Sequence, residues 1–527
     1  MLELQKFLLE KDPTRLELLK YVPESKNEIK ICVYRNHSFE IVEHTIGAYL
    51  DFSNLKANFV YSDYDDSLTF LNIDTTADLL IIWLDVSRYK TDNVEGFISE
   101  RIATLRKTYK KPIIFAGANR KVKLSDESVV QFDFSPIEKE MGQDFLDERI
   151  EFATGTKLSG KSLIKVSKEL GLKYIPAVVK TPLKAIVVDL DNTLYKGVLG
   201  EDGINGIELT EGHKLLQGKL KEKAKEGWFL CVISKNNADD VNEMFEKRSD
   251  FPLHKEDFTA IEASWDNKPV SMGKIIKKLN IGIDAVLFLD DNMGELAQMV
   301  STYPSVKVLH ALDDAHITAR MLDYYPGLLK FGTKMEDAIR SNDTKANEER
   351  QKLQESLSPE EYIKSLEMRI EYFIDNKQFA PRISELANKT NQFIFSYKRY
   401  DLPTVESLME SKEAVVISAT LSDKLSESGT IAVCVGKKQG ELLVIEECFV
   451  SCRALGRGID DVLVLKMFKL ASEQLNTSKL RVNFTKGERN LPAEKFIETY
   501  LDKYQNKESL MDLSFNESLV NIKVNRG

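Results

Sequence analysis

The chain has 527 residues, a net charge of −10, 43% apolar and 30% charged residues. That composition fits a folded protein and excludes disorder, collagen-like repeats and a broadly basic nucleic-acid-binding surface, because phosphate-backbone binding needs clustered positive charge. At ~150 residues per domain, the length corresponds to three or four domains.

The most apolar short run, residues 79–84, falls far below the ~20 residues of a spanning helix, so no membrane span is expected. The N-terminal MLELQKFLLEKDPTR carries early acidic residues and no apolar segment followed by a cleavage site, unlike a signal peptide. Five cysteines (Cys32, Cys231, Cys434, Cys448, Cys452) show no CxxC spacing. Reduced thiols in a cytoplasmic protein without structural zinc are expected.

Residues 1–28 read as a helical lead-in. Residues 29–172 form a first α/β domain, with apolar strands predicted at 29–34, 57–61, 79–83 and 111–116 and a helix over 94–109. Alternation of this kind predicts a parallel, doubly wound sheet. A second α/β domain spans 173–335 and opens with the strand KAIVVDL at 184–190. Residues 336–365 read as a polar helical linker, with the charged stretch 341–356 as a solvated face. It ends at Ser358-Pro-Glu-Glu361, a capping box with Pro in the first turn. In the last domain, 366–527, strands at 414–419, 430–436 and 441–450, the last two joined by KKQG, precede a helix at 459–473, a strand at 479–484, a helix at 492–503 and a strand at 519–524. That pattern is α+β.

Four predicted strand ends carry the chemistry. Asp189 and Asp191, in DLDNT, follow the strand that opens the second domain. Two carboxylates spaced by one residue at a strand end can divide nucleophilic attack from proton transfer. Ser234 ends the strand 229–233 and offers a hydroxyl to a phosphoryl oxygen. Lys268, before an amphipathic helix, can neutralise transferring charge. Asp290 and Asp291 end the strand 285–289, where adjacent acids suit a hard cation such as Mg²⁺ beside Asp189. The intervals between these motifs leave no room for a lid domain, so another domain or a macromolecular partner is expected to cover the site.

In this order the motifs resemble the haloacid dehalogenase superfamily of phosphotransferases. The resemblance implies Asp189 as nucleophile, Asp191 as acid/base, and Ser234, Lys268 and Asn192 as phosphoryl-binding residues. The implied metal set is Asp189, Asp191, Asp290 and Asp291, the last acting through water. Asp191 favours phosphate chemistry, since the dehalogenases of that superfamily lack it.

Arg453-Ala454-Leu455-Gly456-Arg457-Gly458 fits R-x-x-G-x-G/A between a predicted strand and helix, and looks like the pyrophosphate loop of GNAT-type acyltransferases. Backbone N–H groups at a helix start can hold an anion. Coenzyme A or a carrier protein's phosphopantetheine are the expected ligands of Arg453, Gly456, Arg457 and Gly458, with Asn490 facing them.

DLDNTLYKGVLGEDG, ISKNN, FLDDNMGE, NKTNQFIFSYKRY and SCRALGRG together resemble the FkbH family. The fold implied is α/β multidomain: an SGNH- or flavodoxin-like N-terminal domain, a capless haloacid-dehalogenase-like centre and a GNAT-like C-terminal domain. The implied activity is Mg²⁺-dependent removal of phosphate from a phosphorylated glyceryl acyl donor, with loading of the acyl group onto an acyl carrier protein. The alternative is a phosphatase with an attached acyltransferase acting on a precursor of surface polysaccharide; a third reading is a scaffold that binds phosphorylated partners. Ile233 stands where many members carry Cys, leaving Cys231 or Cys452 to form any enzyme thioester. Tyr195-Lys196 replaces the usual Trp-Gly, and Lys196 at the entrance would favour an anionic substrate. Ser38 in the leader has no Asp-x-x-His partner, so docking is expected there instead of ester hydrolysis.

Overall fold

The computed structural model describes residues 2–526 apart from 65–66, 127, 280, 332–345, 347–348, 351–352, 355, 391, 452–453, 456 and 488–489. Two compact units divide the chain, Met1–Ile275 with Gly282–Gly332, and Ile276–Ile281 with Thr333–Gly527.

The first unit holds two parallel sheets. One contains β1 (Glu28–Arg35), β2 (Lys56–Tyr61), β3 (Leu79–Asp85), β4 (Ile113–Ala118) and β5 (Val130–Gln131), in the order β2-β1-β3-β4-β5. The central strand β3, LLIIWLD, is buried at every residue, as a strand covered on both faces must be. At the edge, β2 alternates between exposed and part-buried positions.

The other sheet contains β6 (Ala185–Val188), β7 (Phe229–Ser234), β8 (Ala260–Ala263), β9 (Val286–Asp290) and β10 (Lys307–His310), in the order β10-β9-β6-β7-β8. Strands β6, β7 and β9 are buried throughout, so they form the middle of the sheet and their carboxyl ends lie side by side. Residues 192–228 insert only the helices Leu199–Gly206 and Glu211–Lys225 before β7, and residues 235–267 only Ala238–Lys247 and a short turn around β8. No cap domain rises from either interval.

The lead-in packs into this second sheet's core. Leu8 and Leu9 are buried in one cluster with Leu216, Leu309 and Met321. Arg320 donates to the carbonyl of Glu10 at 2.8 Å and fixes the same contact.

The second unit is built on a mixed eight-stranded sheet: β11 (Arg369–Ile374), β12 (Phe393–Ile394), β13 (Ala414–Ser422), β14 (Glu427–Gln439), β15 (Leu442–Val450), β16 (Lys479–Val482), β17 (Ser509–Leu510) and β18 (Asn521–Arg526). Its order is β17-β16-β15-β14-β13-β11-β18, with β12 on β15. The β14–β15 hairpin is tighter than the four residues KKQG suggest. Lys437, Lys438 and Gln439 stay in the ladder, and the turn falls at Gly440, whose φ of +64° suits glycine. β15 runs parallel to β16 over Leu442–Ile445 and then pairs with β12 at Phe449 and Val450. Where its edge changes partner, the buried Glu447 carboxylate accepts the N–H groups of Phe395, Ser396 and Lys398. The Ser358 capping box is formed. The linker stretch 341–356 lies largely outside the described residues. Among the described residues, no helix is long and apolar enough to cross a membrane.

Candidate active site

In a parallel sheet, side chains just beyond the carboxyl ends of adjacent strands converge. Asp189 directly follows β6, and its N–H donates to the Leu289 carbonyl at 2.9 Å. Asp290 ends β9 and is wholly buried, while Asp291 beside it is half-buried. Carboxylate oxygens of Asp189, Asp290 and Asp291 lie within 4.8 Å of one another.

Lys268, the first residue of the helix Lys268–Leu279, reaches into this cluster and is 4% exposed. Its Nζ lies 2.6 Å from Asp290 Oδ2 and 3.0 Å from Asp189 Oδ1. Apart from this ion pair, the buried Asp189 Oδ1 has no hydrogen-bond partner. Burial opposes the Lys268 charge, but Asp189 and Asp290 outweigh it and raise its pKa. Burial likewise raises the carboxyl of Asp189, with Lys268 offsetting only part and Asp290 adding to the rise. Asp290 and Asp291 are also raised, chiefly by burial. One ammonium against three carboxylates leaves excess negative charge on oxygen donors, which fits a hard divalent cation such as Mg²⁺.

Asp191 stands apart from that trio, and three donors hold its carboxylate. Tyr195 O–H (2.7 Å) and Leu199 N–H (2.9 Å) donate to Oδ1, and Asn236 Nδ2 (2.8 Å) donates to Oδ2. Asn236 also donates to Ser234 Oγ at 3.0 Å. Ser234 and Asn236 are each 2% exposed. The sequence reading assigned no role to Asn236 or to the Tyr195 hydroxyl. The polar KNN directly after Ser234 was the available signal.

Asn192 shapes the loop. Its φ is +51°, its Oδ1 accepts the Gly197 N–H at 2.9 Å, and its own N–H donates to the Gly197 carbonyl at 3.1 Å. The Lys196 backbone pairs with that of Glu208, and its exposed ammonium lies 3.7 Å from the Glu208 carboxylate. Cys231 is fully buried within β7, between β6 and β8.

In the second unit, Cys452, Arg453 and Gly456 lie outside the described residues. Arg457 is 2% exposed, and its guanidinium donates to Asp423 Oδ2 (3.0 Å) and Ser428 Oγ (2.7 Å). Gly458 has a φ of +75° and lines a cavity of about 640 Å³ with Phe393, Asp460, Lys495, Phe496 and Tyr500. Burial, with Asp461 adding, pushes the Asp460 carboxyl up to about 6. Asn490 is fully buried and spends its amide on Gly487 N–H and on the carbonyls of Ile394 and Thr485. Between β1 and the helix that follows it, Ser38 donates its hydroxyl to Glu40.

No family model matches the chain, and no curated protein matches it. Among solved structures, the chain is similar to the N-terminal part of a Bacteroides fragilis protein that contains a phosphatase domain and was solved with Mg. That match has 20% identity over 61% of this chain and 98% of the other, with a TM-score of 0.48. It is also similar to a HAD family hydrolase from Streptomyces avermitilis, at 14% identity over 28% of this chain and 92% of the other, with a TM-score of 0.20. The chemistry is therefore read from the side chains themselves.

Proposed function

We propose that the β6–β10 sheet carries a divalent-cation-dependent phosphotransferase site of haloacid dehalogenase type, using phosphorylated small molecules. One observation carries this reading: at the carboxyl ends of β6 and β9, Asp189 and Asp290 meet Lys268 in a buried cluster, while Asp191, after β6, and Ser234, at the end of β7, share the Asn236 amide. Asp189 attacks phosphorus, the bond to the leaving oxygen breaks, and an aspartyl phosphate forms. Asp191 gives a proton to the departing oxygen, then takes one from the water that releases inorganic phosphate. Ser234 and Lys268 hold the phosphoryl oxygens. A bound Mg²⁺, held by Asp189, Asp290 and Asp291, would supply charge neutralisation of the transferring phosphoryl group.

The full reading extends to removal of phosphate from a phosphorylated glyceryl acyl donor and delivery of the acyl group to an acyl carrier protein. It is supported by the order of the five FkbH-like motifs. The second reading, a phosphatase with an attached acyltransferase acting on a surface-polysaccharide precursor, is favoured by the burial of Cys231, which offers no accessible thiol to an acyl group.

The test is hydrolysis of p-nitrophenyl phosphate and acetyl phosphate with Mg²⁺ or EDTA. Mg²⁺-dependent turnover that Asp189→Asn abolishes is expected. Turnover indifferent to both would overturn the reading. Intact-protein mass spectrometry with a phosphopantetheinylated carrier separates the two finer readings: an acyl adduct on the carrier supports the first, and free acid alone supports the second.

A further inference from the structure

We infer that His310 is a positioning residue for the cation site and that the lead-in reaches this site through it; the inference rests on the cation-dependent reading above. Consecutive side chains of an extended strand point to opposite faces. The carboxylates of Asp290 and Asp291 nevertheless converge with that of Asp189, so the turn after β9 has to be held in one geometry. Asp290 is fixed twice: its carbonyl accepts the Ala311 N–H at 2.9 Å, and its Oδ1 accepts the Asn292 N–H at 2.9 Å. Asp291 is only half-buried, so packing alone does not fix it. Its carbonyl meets Nε2 of His310 at 2.9 Å. A carbonyl only accepts, so Nε2 carries the hydrogen and donates it.

His310 ends β10, an edge strand, and edge-strand N–H groups that face away from the sheet need partners of their own. The Ala311 N–H turns toward β9, while the His310 N–H turns outward and donates to Gln5 Oε1, in the lead-in, at 3.4 Å. Gln5 is 1% exposed, and its Nε2 faces Met321 Sδ at 3.9 Å. A leucine would fill that space at less cost, because burying an amide is unfavourable unless its polar atoms are used. The glutamine thus has a polar task, which is to hold the strand end that carries the imidazole. Gln5, His310 and the Asp291 carbonyl form one line of contacts that ends on a cation ligand.

A residue that only closes the sheet edge would change melting and leave cation affinity alone. One that places a ligand changes the affinity, and another N–H donor in its place restores it. The experiment titrates the full chain with Mg²⁺ by calorimetry, without substrate, for wild type, His310→Leu, His310→Gln and Gln5→Leu. Loss of a group that orients a metal ligand costs about 10–100-fold in affinity, and that weakening is expected for His310→Leu. His310→Gln keeps a donor and is expected to bind within about threefold of wild type. Gln5→Leu is expected to weaken binding by at least about threefold, the net worth of one hydrogen bond. Thermal melting checks the fold, and His310→Asn, too short to reach the carbonyl, replaces the leucine variant if that one fails to fold. Unchanged affinity in His310→Leu, or a loss that His310→Gln does not recover, would overturn the inference. Unchanged affinity in Gln5→Leu would overturn the lead-in's part in it. A wild type that binds no Mg²⁺ would instead remove the cation-dependent reading itself, and this inference with it.

Discussion

Lys268 faces three carboxylates and has 4% of its surface exposed. Removing one partner of a buried charge cluster leaves the others uncompensated, at a cost of about 3–5 kcal/mol. Lys268→Met should therefore lower the melting point of the metal-free protein, and added Mg²⁺ should raise it more in the variant than in the wild type. Phosphatase activity should fall by about 10²–10³ even with saturating Mg²⁺, since a lost electrostatic contact to the transferring group costs about that much. Calorimetry and steady-state kinetics check the two halves. Away from the site, His37 is 1% exposed, stacks on Trp83 at 4.9 Å, and is pushed down to about 3 by burial. The folded state keeps it neutral while the unfolded chain takes up a proton below about pH 6.5. Its contribution is thus complete above that pH and is lost as pH falls toward 3, by about 1.4 kcal/mol at pH 5.5. His37→Gln should flatten the fall in melting temperature between pH 7 and 5. Residues such as Asp189 and Asp290 were legible because each follows or ends a fully apolar strand. The contacts of Tyr195 and Asn236 were not, because the first exists only once the 192–199 loop folds back onto Asp191 and the second only once β7 lies beside β6.

At the scale of elements, buried strands announce themselves and short ones do not. β3, β6, β7 and β9 are continuous apolar runs, as strands covered on both faces must be. β8 (AIEA) and β10 (KVLH) are four residues long and β12 only two, too short for any periodicity. β11 was within reach: buried Ile370, Tyr372 and Ile374 alternate along RIEYFI, a pattern that the reading of the last domain passed over. The lead-in shows what local pattern cannot give. Its leucines are apolar in the sequence, but their place in the second sheet's core is a tertiary fact. Burying a leucine is worth about 1.5–3 kcal/mol. Deleting residues 1–13, which removes Leu8 and Leu9, should therefore destabilise the first unit by about 3–6 kcal/mol, and urea denaturation followed by tryptophan fluorescence measures it.

Across the whole molecule, the residues proposed for phosphoryl transfer all belong to the first compact unit, and the 640 Å³ cavity belongs to the second. A chain ending at Phe331 should therefore keep hydrolysis of small phosphate esters within about threefold of the full protein, since no side chain that touches the reacting atoms is lost. Any acyl transfer should disappear from the same fragment. The central claim is that Asp189 becomes phosphorylated while the carboxylates around it hold a cation. Borohydride trapping during acetyl phosphate turnover, followed by peptide mass spectrometry, tests it directly, because an aspartyl phosphate is reduced to homoserine. Conversion of Asp189 to homoserine with Mg²⁺, and none with EDTA, is the expected result. Steady turnover with Asp189 unmodified, or homoserine at another aspartate, would contradict it.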